Sequence, residues 1–279
     1  MAQTTPARRE DSGLAEPQPA QPRLLPLWQI LSLPLLVFFI LPLLALFVRA
    51  SPASLFADLA RPQVLQAITL SLATTLTSTG ITILFGTPLA YALAHRGVPF
   101  RRLVDTLIDL PTVLPPAVAG LALLMAFGRR GLLGGLLEGL GLQLAFTPLA
   151  VILAQTFIAA PFYIKSAVLG FSSIDDELEQ AAGLDGASSW QTFRYVIVPL
   201  SWTALLSGSV MTWARALGEF GATIIFAGNF PGRTQTMPLA IYIGFELDLN
   251  VALTLSVILV GFSFLALMLV KGILHRDWT

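Results

Sequence analysis

Long apolar runs separated by short polar or glycine-rich connections make up most of this chain. Each run has about twenty residues or more, which is the length that a helix needs to cross the hydrocarbon core of a bilayer. The predicted spans are 27–47, 65–94, 106–127, 147–169, 200–227 and 251–270. The first run is too long for the apolar core of a signal peptide, which has about 7–15 residues, so we interpret it as a retained span. The pattern therefore predicts an all-α integral membrane protein with six transmembrane helices.

Residues 1–24 lack this apolar pattern and are rich in proline, alanine and glutamine. Such a composition buries too little apolar surface to fold, so it predicts a disordered tail. The transmembrane domain is expected to occupy residues 25–279.

The segment 172–199 is the one long polar stretch between two predicted spans. Its first half predicts a short helix that is capped by Ser173, begins at Ile174 and is broken by Gly183 and Gly186. A loop of this kind either packs back on its own protein or docks another one. The residues alone leave both readings open.

The second half of this segment predicts another short helix. Ser188 is followed three residues later by Gln191, which is the spacing of a capping box. Trp190, Phe193 and Ile197 give the helix an apolar stripe, and Pro199 limits its continuation. The whole segment therefore predicts two helices around a glycine-containing turn.

Two membrane segments contain residues that are unusual in a lipid-facing helix. The third span holds Pro115 and Pro116, which interrupt the backbone hydrogen bonds and need protein or a water-filled cavity beside them. The fifth span places Arg215 and Glu219 one helical turn apart, so that they can neutralise each other. These four residues are candidates for a pathway or gate, and the alternative for the charged pair is a structural ion pair.

Composition excludes several functions. The chain is 55% hydrophobic and 11% charged, and its 16 basic residues balance its 16 acidic ones, so no net charge favours a nucleic acid. Cysteine is absent, which removes disulfides and thiolate chemistry. No phosphate-binding loop, catalytic triad or metal-ligand cluster occurs, and His95 and His275 lie far apart near span ends. We therefore expect neither an enzyme nor a resident cofactor.

The distribution of arginine and lysine predicts the orientation. Ten of them lie at both termini, in the turn near residue 100 and around the segment 172–199, against five on the opposite side. The positive-inside rule then places both termini and this segment in the cytoplasm. The ten are Arg8, Arg9, Arg23, Arg96, Arg101, Arg102, Lys165, Arg194, Lys271 and Arg276.

The spacing within 172–199 resembles the EAA loop of bacterial ATP-binding-cassette importer permeases. That family pattern is Glu-Ala-Ala, three residues, Gly, nine residues and Ile-x-Leu-Pro. This chain has glutamine in place of the glutamate and two valines near the end, but it keeps the Gly and Pro spacing. The resemblance implies that this loop contacts the ATPase, through Glu179, Gln180, Ala181, Ala182, Gly186, Val196 and Pro199.

Three further stretches, 109–116, 214–223 and 227–242, resemble the molybdate/sulfate permease family, and its molybdate branch most. The resemblance implies an inner-membrane homodimer that carries a tetrahedral oxyanion by alternating access. It also implies two cytoplasmic ATPases, which bind ATP and magnesium on separate chains, and an extracytoplasmic oxyanion-binding protein. Sulfate, thiosulfate or tungstate are alternative substrates. An ion-coupled secondary transporter is a rival, but it predicts internal repeats and several buried acids, which the sequence does not show.

Overall fold

The computed structural model describes residues 25–95 and 99–276 of the chain. The chain divides into two units, residues 1–45 and 46–279. Helix α1 begins at Leu25 in the first unit and ends at Arg49, in the second. It covers the first predicted span, and the predicted tail, residues 1–24, lies outside the described residues.

The second unit is built from helices, and the described residues contain no strand. This confirms the all-α prediction. The helices are α2 (Pro52–Leu59), α3 (Pro62–Ala94), α4 (Arg101–Val113), α5 (Pro116–Phe127), α6 (Gly134–Gly139), α7 (Pro148–Ser172), α8 (Asp176–Leu184), α9 (Ser189–Thr192), a π-helical turn (Phe193–Ile197), α10 (Val198–Leu200), α11 (Trp202–Leu217), α12 (Gly221–Phe226), α13 (Met237–Leu247) and α14 (Leu249–Arg276).

Helices α3, α7 and α11 pack closely because small residues lie at their crossings. A Cβ atom added to Gly170 on α7 would lie 2.6 Å from the Cβ of Ala204 on α11. Likewise, a Cβ atom on Gly208 would lie 2.7 Å from the Cβ of Ser166. Since these distances are shorter than any normal carbon–carbon contact, only glycine allows the two backbones to approach this far. Close approach through small residues is typical of helices packed within a membrane.

The hydroxyl-rich part of α3 is used for packing. Thr74 and Thr75 are buried, and each donates its hydroxyl to the backbone carbonyl four residues earlier, at 2.8 and 2.7 Å. Ser71 instead accepts a hydrogen bond of 2.7 Å from the backbone N–H of Met237, at the start of α13. The hydroxyls of Thr74, Thr75 and Ser71 are thus paired with the backbone of α3 itself or of a neighbouring helix.

Two of the six predicted spans are broken. The third consists of α4 and α5, which meet at an angle of 118° on either side of Leu114 and Pro115. The fifth, predicted as one helix over 200–227, is α11 followed by the separate short helix α12, and α11 itself bends by 72° from the helical segment before it. Within the described residues, four helices are long and apolar enough to cross a membrane, and the number rises to six if each bent pair forms one span.

Candidate functional site: the polar loop and the helix breaks

The first helix of the polar segment begins two residues later than its sequence suggested. Ser173 ends α7, and its hydroxyl donates 2.8 Å to the carbonyl of Gly170. Asp175 is the actual N-cap of α8, and its side chain accepts from the backbone N–H of Glu177 at 3.1 Å. The prediction of a Ser173 cap and a helix from Ile174 was therefore wrong. Ile174 packs against the buried cluster between α3 and α7, which extends the chain there before α8 begins.

Helix α8 ends in a hydrogen-bonded turn that requires glycine. The N–H of Ala187 donates to the carbonyl of Ala182 at 3.0 Å, and the N–H of Gly186 donates to that of Gly183 at 3.1 Å. This pair of bonds is the Schellman motif, in which the residue after the C-cap is left-handed. Gly186 has φ +84°, as the motif demands. Gly183 lies inside the helix, so the prediction that it breaks the helix was wrong.

The second short helix starts as its sequence predicted. The Ser188 hydroxyl accepts from the backbone N–H of Gln191, and the Gln191 side chain accepts from the backbone N–H of Ser188 at 2.8 Å, which confirms the capping box. Helix α9 is followed directly by the π-helical turn, in which the N–H of Val198 donates to the carbonyl of Phe193. Pro199 follows in α10, and the helical segment ends at Leu200.

The polar loop exposes several large apolar side chains. The exposed fractions are 89% for Leu184, 66% for Trp190 and 70% for Tyr195. A groove of about 320 Å³ on the same loop is lined by Asp185, Gly186, Ala187, Gln191, Thr192, Tyr195 and Val196. Of the other predicted contact residues, Gln180, Ala181 and Pro199 are exposed, whereas Ala182 and Val196 are half-buried.

Glu179 differs from those residues because it faces its own protein. Its carboxylate lies 2.7 Å from Nε2 of His95, which follows the last residue of α3. Burial alone lowers the pKa of His95, but its hydrogen bonds to the Tyr91 carbonyl and to Glu179, with the charges of Glu179 and Asp176, outweigh burial and raise the pKa above its usual value. No sequence pattern indicated this contact, which joins residues 84 positions apart.

The two helix breaks lie against each other. A Cβ atom added to Gly221, at the start of α12, would lie 2.5 Å from the Cβ of Pro116, at the start of α5. Four residues further along α5, a Cβ atom on Gly120 would lie 2.8 Å from the carbonyl oxygen of Ala222. Helices α5 and α12 thus cross with backbones in contact, and the crossing brings predicted gate residue Pro116 next to the segment that holds Glu219. Pro115, the N-cap of α5, is exposed.

The predicted Arg215–Glu219 pair forms, with 3.0 Å between the guanidinium and the carboxylate. Glu219 does not continue α11, however, because that helix ends at Leu217. Its second oxygen accepts from the backbone N–H of Ala222 at 2.8 Å, so the carboxylate also caps α12. The Glu219 side chain is 1% exposed and that of Arg215 is 33% exposed. Glu219 therefore holds the guanidinium in place and leaves it accessible from one side.

A second ionic contact, which the sequence did not reveal, ties α4 to α7. Lys165 lies 2.6 Å from Asp105 and 2.8 Å from Asp109, one turn apart on α4. Among the residues that the structure describes, no group of three or more histidine, cysteine or acidic side chains is placed to hold a metal ion.

Comparison with known proteins places this architecture in a family. Residues 83–276 match the family described as binding-protein-dependent transport system inner membrane component. The chain is 40% identical over 225 residues to the molybdenum transport system permease protein ModB of Mycobacterium tuberculosis, covering 81% of this chain and 85% of that protein. It is 37% identical over 219 residues to the probable sulfate transport system permease protein cysT of Chlorokybus atmophyticus, covering 77% and 76%.

A solved structure supports the fold. The structure of a bacterial ABC transporter involved in the import of the acidic polysaccharide alginate matches with a TM-score of 0.64 and 19% identity, over 91% of this chain and 95% of that one. The family match spans most of the chain and includes the polar loop and both helix breaks. The chain therefore belongs to the inner-membrane components of binding-protein-dependent transport systems, and it is the permease subunit of an ATP-binding-cassette importer.

Proposed function

We propose that this permease carries molybdate into the cell. Several matched relatives are named as molybdenum permeases, at 36–42% identity over the aligned residues, and two are named as sulfate permeases, at 36–37%. Both substrates are tetrahedral dianions, so a permease for either needs a cationic or hydrogen-bonding surface that neutralises two negative charges. Sulfate, thiosulfate and tungstate are the alternative substrates.

The observation that supports an anion pathway best is the fixed, accessible guanidinium of Arg215. Its partner Glu219 is almost fully buried, and both of its oxygens accept hydrogen bonds, one from Arg215 and one from the start of α12. Arg215 has further N–H groups that can donate to another acceptor. The pair lies at the point where the breaks of two discontinuous helices meet, and discontinuous helices commonly line substrate sites in transporters. We assign Arg215 to the pathway, Glu219 to positioning it, and Pro115 and Pro116 to the break that leaves room beside it.

The same proposal assigns the polar loop, 172–199, to the ATPase. Its Leu184, Trp190 and Tyr195 are exposed, and Tyr195 also lines the groove around Gly186. An apolar exposed surface rimmed by polar residues is typical of a protein–protein contact. Gln180 and Ala181 are exposed on α8, whose end is held by a hydrogen bond to the carbonyl of Ala182. Val196 lines the groove, and Pro199 follows in α10. ATP and magnesium are bound by the ATPase subunits and not by this chain.

In this assembly two copies of the permease form a homodimer in the inner membrane, with an ATPase dimer in the cytoplasm and an oxyanion-binding protein outside. With α1, α3, α7 and α14, the bent pair α4–α5 counts as one span and α11 with α12 as another, which gives six spans. Both termini, with the tail at residues 1–24, then lie in the cytoplasm. Transport follows from two conformations that are stabilised by different states of the ATPase and the binding protein.

Uptake by the reconstituted complex tests the proposal. Proteoliposomes that contain the permease, its ATPase and the loaded binding protein should accumulate radioactive molybdate only with internal ATP. The Arg215→Gln variant should lose most uptake, while the matched control Arg233→Gln, at an exposed position, should keep it. Uptake of sulfate with the cognate binding protein, but not of molybdate, would select the alternative. Uptake driven by an ion gradient without ATP would contradict the importer mechanism.

A further inference from the structure

His95 occupies the joint between the long helix α3 and the polar loop. It directly follows α3, and its ring lies 4.2 Å from the ring of Tyr91, one turn earlier. Tyr91 in turn contacts Phe171 at the end of α7 and Phe193 in the π-helical turn, with ring centroids 5.8 and 5.1 Å away. The ends of three membrane-associated elements are thus joined by one aromatic cluster, with His95 at its edge.

Both ring nitrogens of His95 face groups that can only accept a hydrogen bond. Nδ1 lies 2.9 Å from the carbonyl oxygen of Tyr91, and Nε2 lies 2.7 Å from the carboxylate of Glu179. A neutral imidazole has one N–H and can satisfy only one of these acceptors, whereas an imidazolium satisfies both. The complete contact therefore requires the protonated ring.

We propose that His95, as an imidazolium, is a positioning residue that fastens helix α8 to the end of α3 through Glu179. This inference rests on the proposed role of the polar loop as the ATPase contact. Along the chain, the loop connects directly to α7 and, through α10, to α11. Its ionic contact with the end of α3 is the His95–Glu179 pair. Through this pair, a displacement of α8 also displaces α3, the helix that packs against α7.

The surroundings of His95 support its protonation. The charges that act on it from α8 are the carboxylates of Glu179 and Asp176, and Tyr91 is the titratable neighbour on its own helix. The pKa is raised, so the ion pair is complete below about pH 6.5, the usual value for histidine, and is lost as the pH rises through the raised value. Residues 96–98, which follow His95, lie outside the described part of the chain.

The test measures coupling, which is the number of anions transported per ATP hydrolysed, in the reconstituted complex. The side chains of the pair are 28% and 23% exposed, and partly exposed pairs contribute up to about a fivefold change in an equilibrium. We expect His95→Gln and Glu179→Gln to lower coupling about two- to fivefold at pH 6.5 while the ATPase still co-purifies. Glu246→Gln, which removes an exposed carboxylate from α13, outside the polar loop, is the control and should couple like the parent.

The pH profile separates positioning from a general structural effect. Coupling by the parent should fall between pH 6.5 and 8.5, whereas His95→Gln should be low and independent of pH. His95→Lys, which keeps a cation at all these values, should restore coupling and remove the pH dependence. Parallel profiles of the parent and His95→Gln would overturn the inference. Failure of the proposed function is distinguishable, because the parent itself would then neither co-purify with the ATPase nor transport.

Discussion

Gly186 provides the sharpest test of the polar loop, because its structural role can be separated from any contact that it makes. Its φ of +84° lies in the left-handed region, and a Cβ atom added there would meet nothing within 4 Å. A substitution therefore introduces backbone strain without a clash. For an ordinary side chain the left-handed conformation costs about 1–2 kcal/mol, and more for a β-branched one.

This strain acts on the two hydrogen bonds that end α8. Loss of about 1–2 kcal/mol changes the ratio of ordered to opened turn by roughly 5–30-fold. We expect Gly186→Ala to increase amide hydrogen exchange across the end of α8 by that factor, and Gly186→Val to increase it further. Gly186→Asn should approach the parent, since asparagine tolerates the left-handed region. Assembly with the ATPase and coupling should fall in the same order, with insertion into the membrane unchanged.

Gly183 offers a matched control one turn earlier. It is exposed, lies within α8 and has open space around it. Because alanine favours a helix by about 1 kcal/mol over glycine, Gly183→Ala should slow exchange in α8 and leave assembly intact. A Gly186→Val protein that assembles, couples and exchanges like the parent would refute the argument. Equal defects in Gly186→Asn and Gly186→Val would show that the surface of the turn matters and not its φ angle.

Three other predictions concern the helix breaks and the topology. Arg215→Gln should destabilise the protein more than Glu219→Gln, because it leaves a carboxylate that is 1% exposed without its cation. Removing one partner of a buried pair costs about 3–5 kcal/mol. In a double-mutant cycle of thermal unfolding, the double variant should recover part of that loss. Additive effects would show that the pair does not interact. Gly221→Ala, which places a Cβ atom 2.5 Å from that of a proline on α5, should cost about 1–3 kcal/mol, whereas Gly218→Ala, with its nearest contact at 3.9 Å, should be neutral in the same measurement. A reporter inserted near Gly135 should be extracytoplasmic and one fused to the C-terminus cytoplasmic; the same side for both would contradict six spans.

Some features followed from the sequence because they depend on residues close together in the chain. The apolar runs predicted where the membrane helices lie, because a chain in lipid must form its backbone hydrogen bonds within itself and a helix does so. The capping box of Ser188 and Gln191 formed as predicted, because its two hydrogen bonds connect groups three residues apart. The Arg215–Glu219 pair also formed at its predicted spacing. The family resemblance, which rested on the spacing of Gly186 and Pro199, was confirmed.

Other features were decided by contacts between distant parts of the chain. Ser173 has the residue type of a helix cap, but packing of Ile174 between the membrane helices left the cap to Asp175. The sequence pattern did not predict helix α13, because its 11 residues are too few to stand out as a membrane span. Its start depends on a distant contact, since the N–H of its first residue donates to Ser71 of α3.

The candidate site itself depends most strongly on the tertiary structure. The sequence indicated that the third and fifth spans were unusual, but only the crossing of α5 and α12 brings Pro116 to within contact of Gly221. Similarly, Glu179 was predicted from its position to face another protein, and the fold turns it towards His95 instead. Hydrogen bonds between near neighbours in the chain, such as the Ser188–Gln191 capping box, follow from the sequence. Which side chains from distant positions meet depends on how the helices pack, and that is a property of the whole chain.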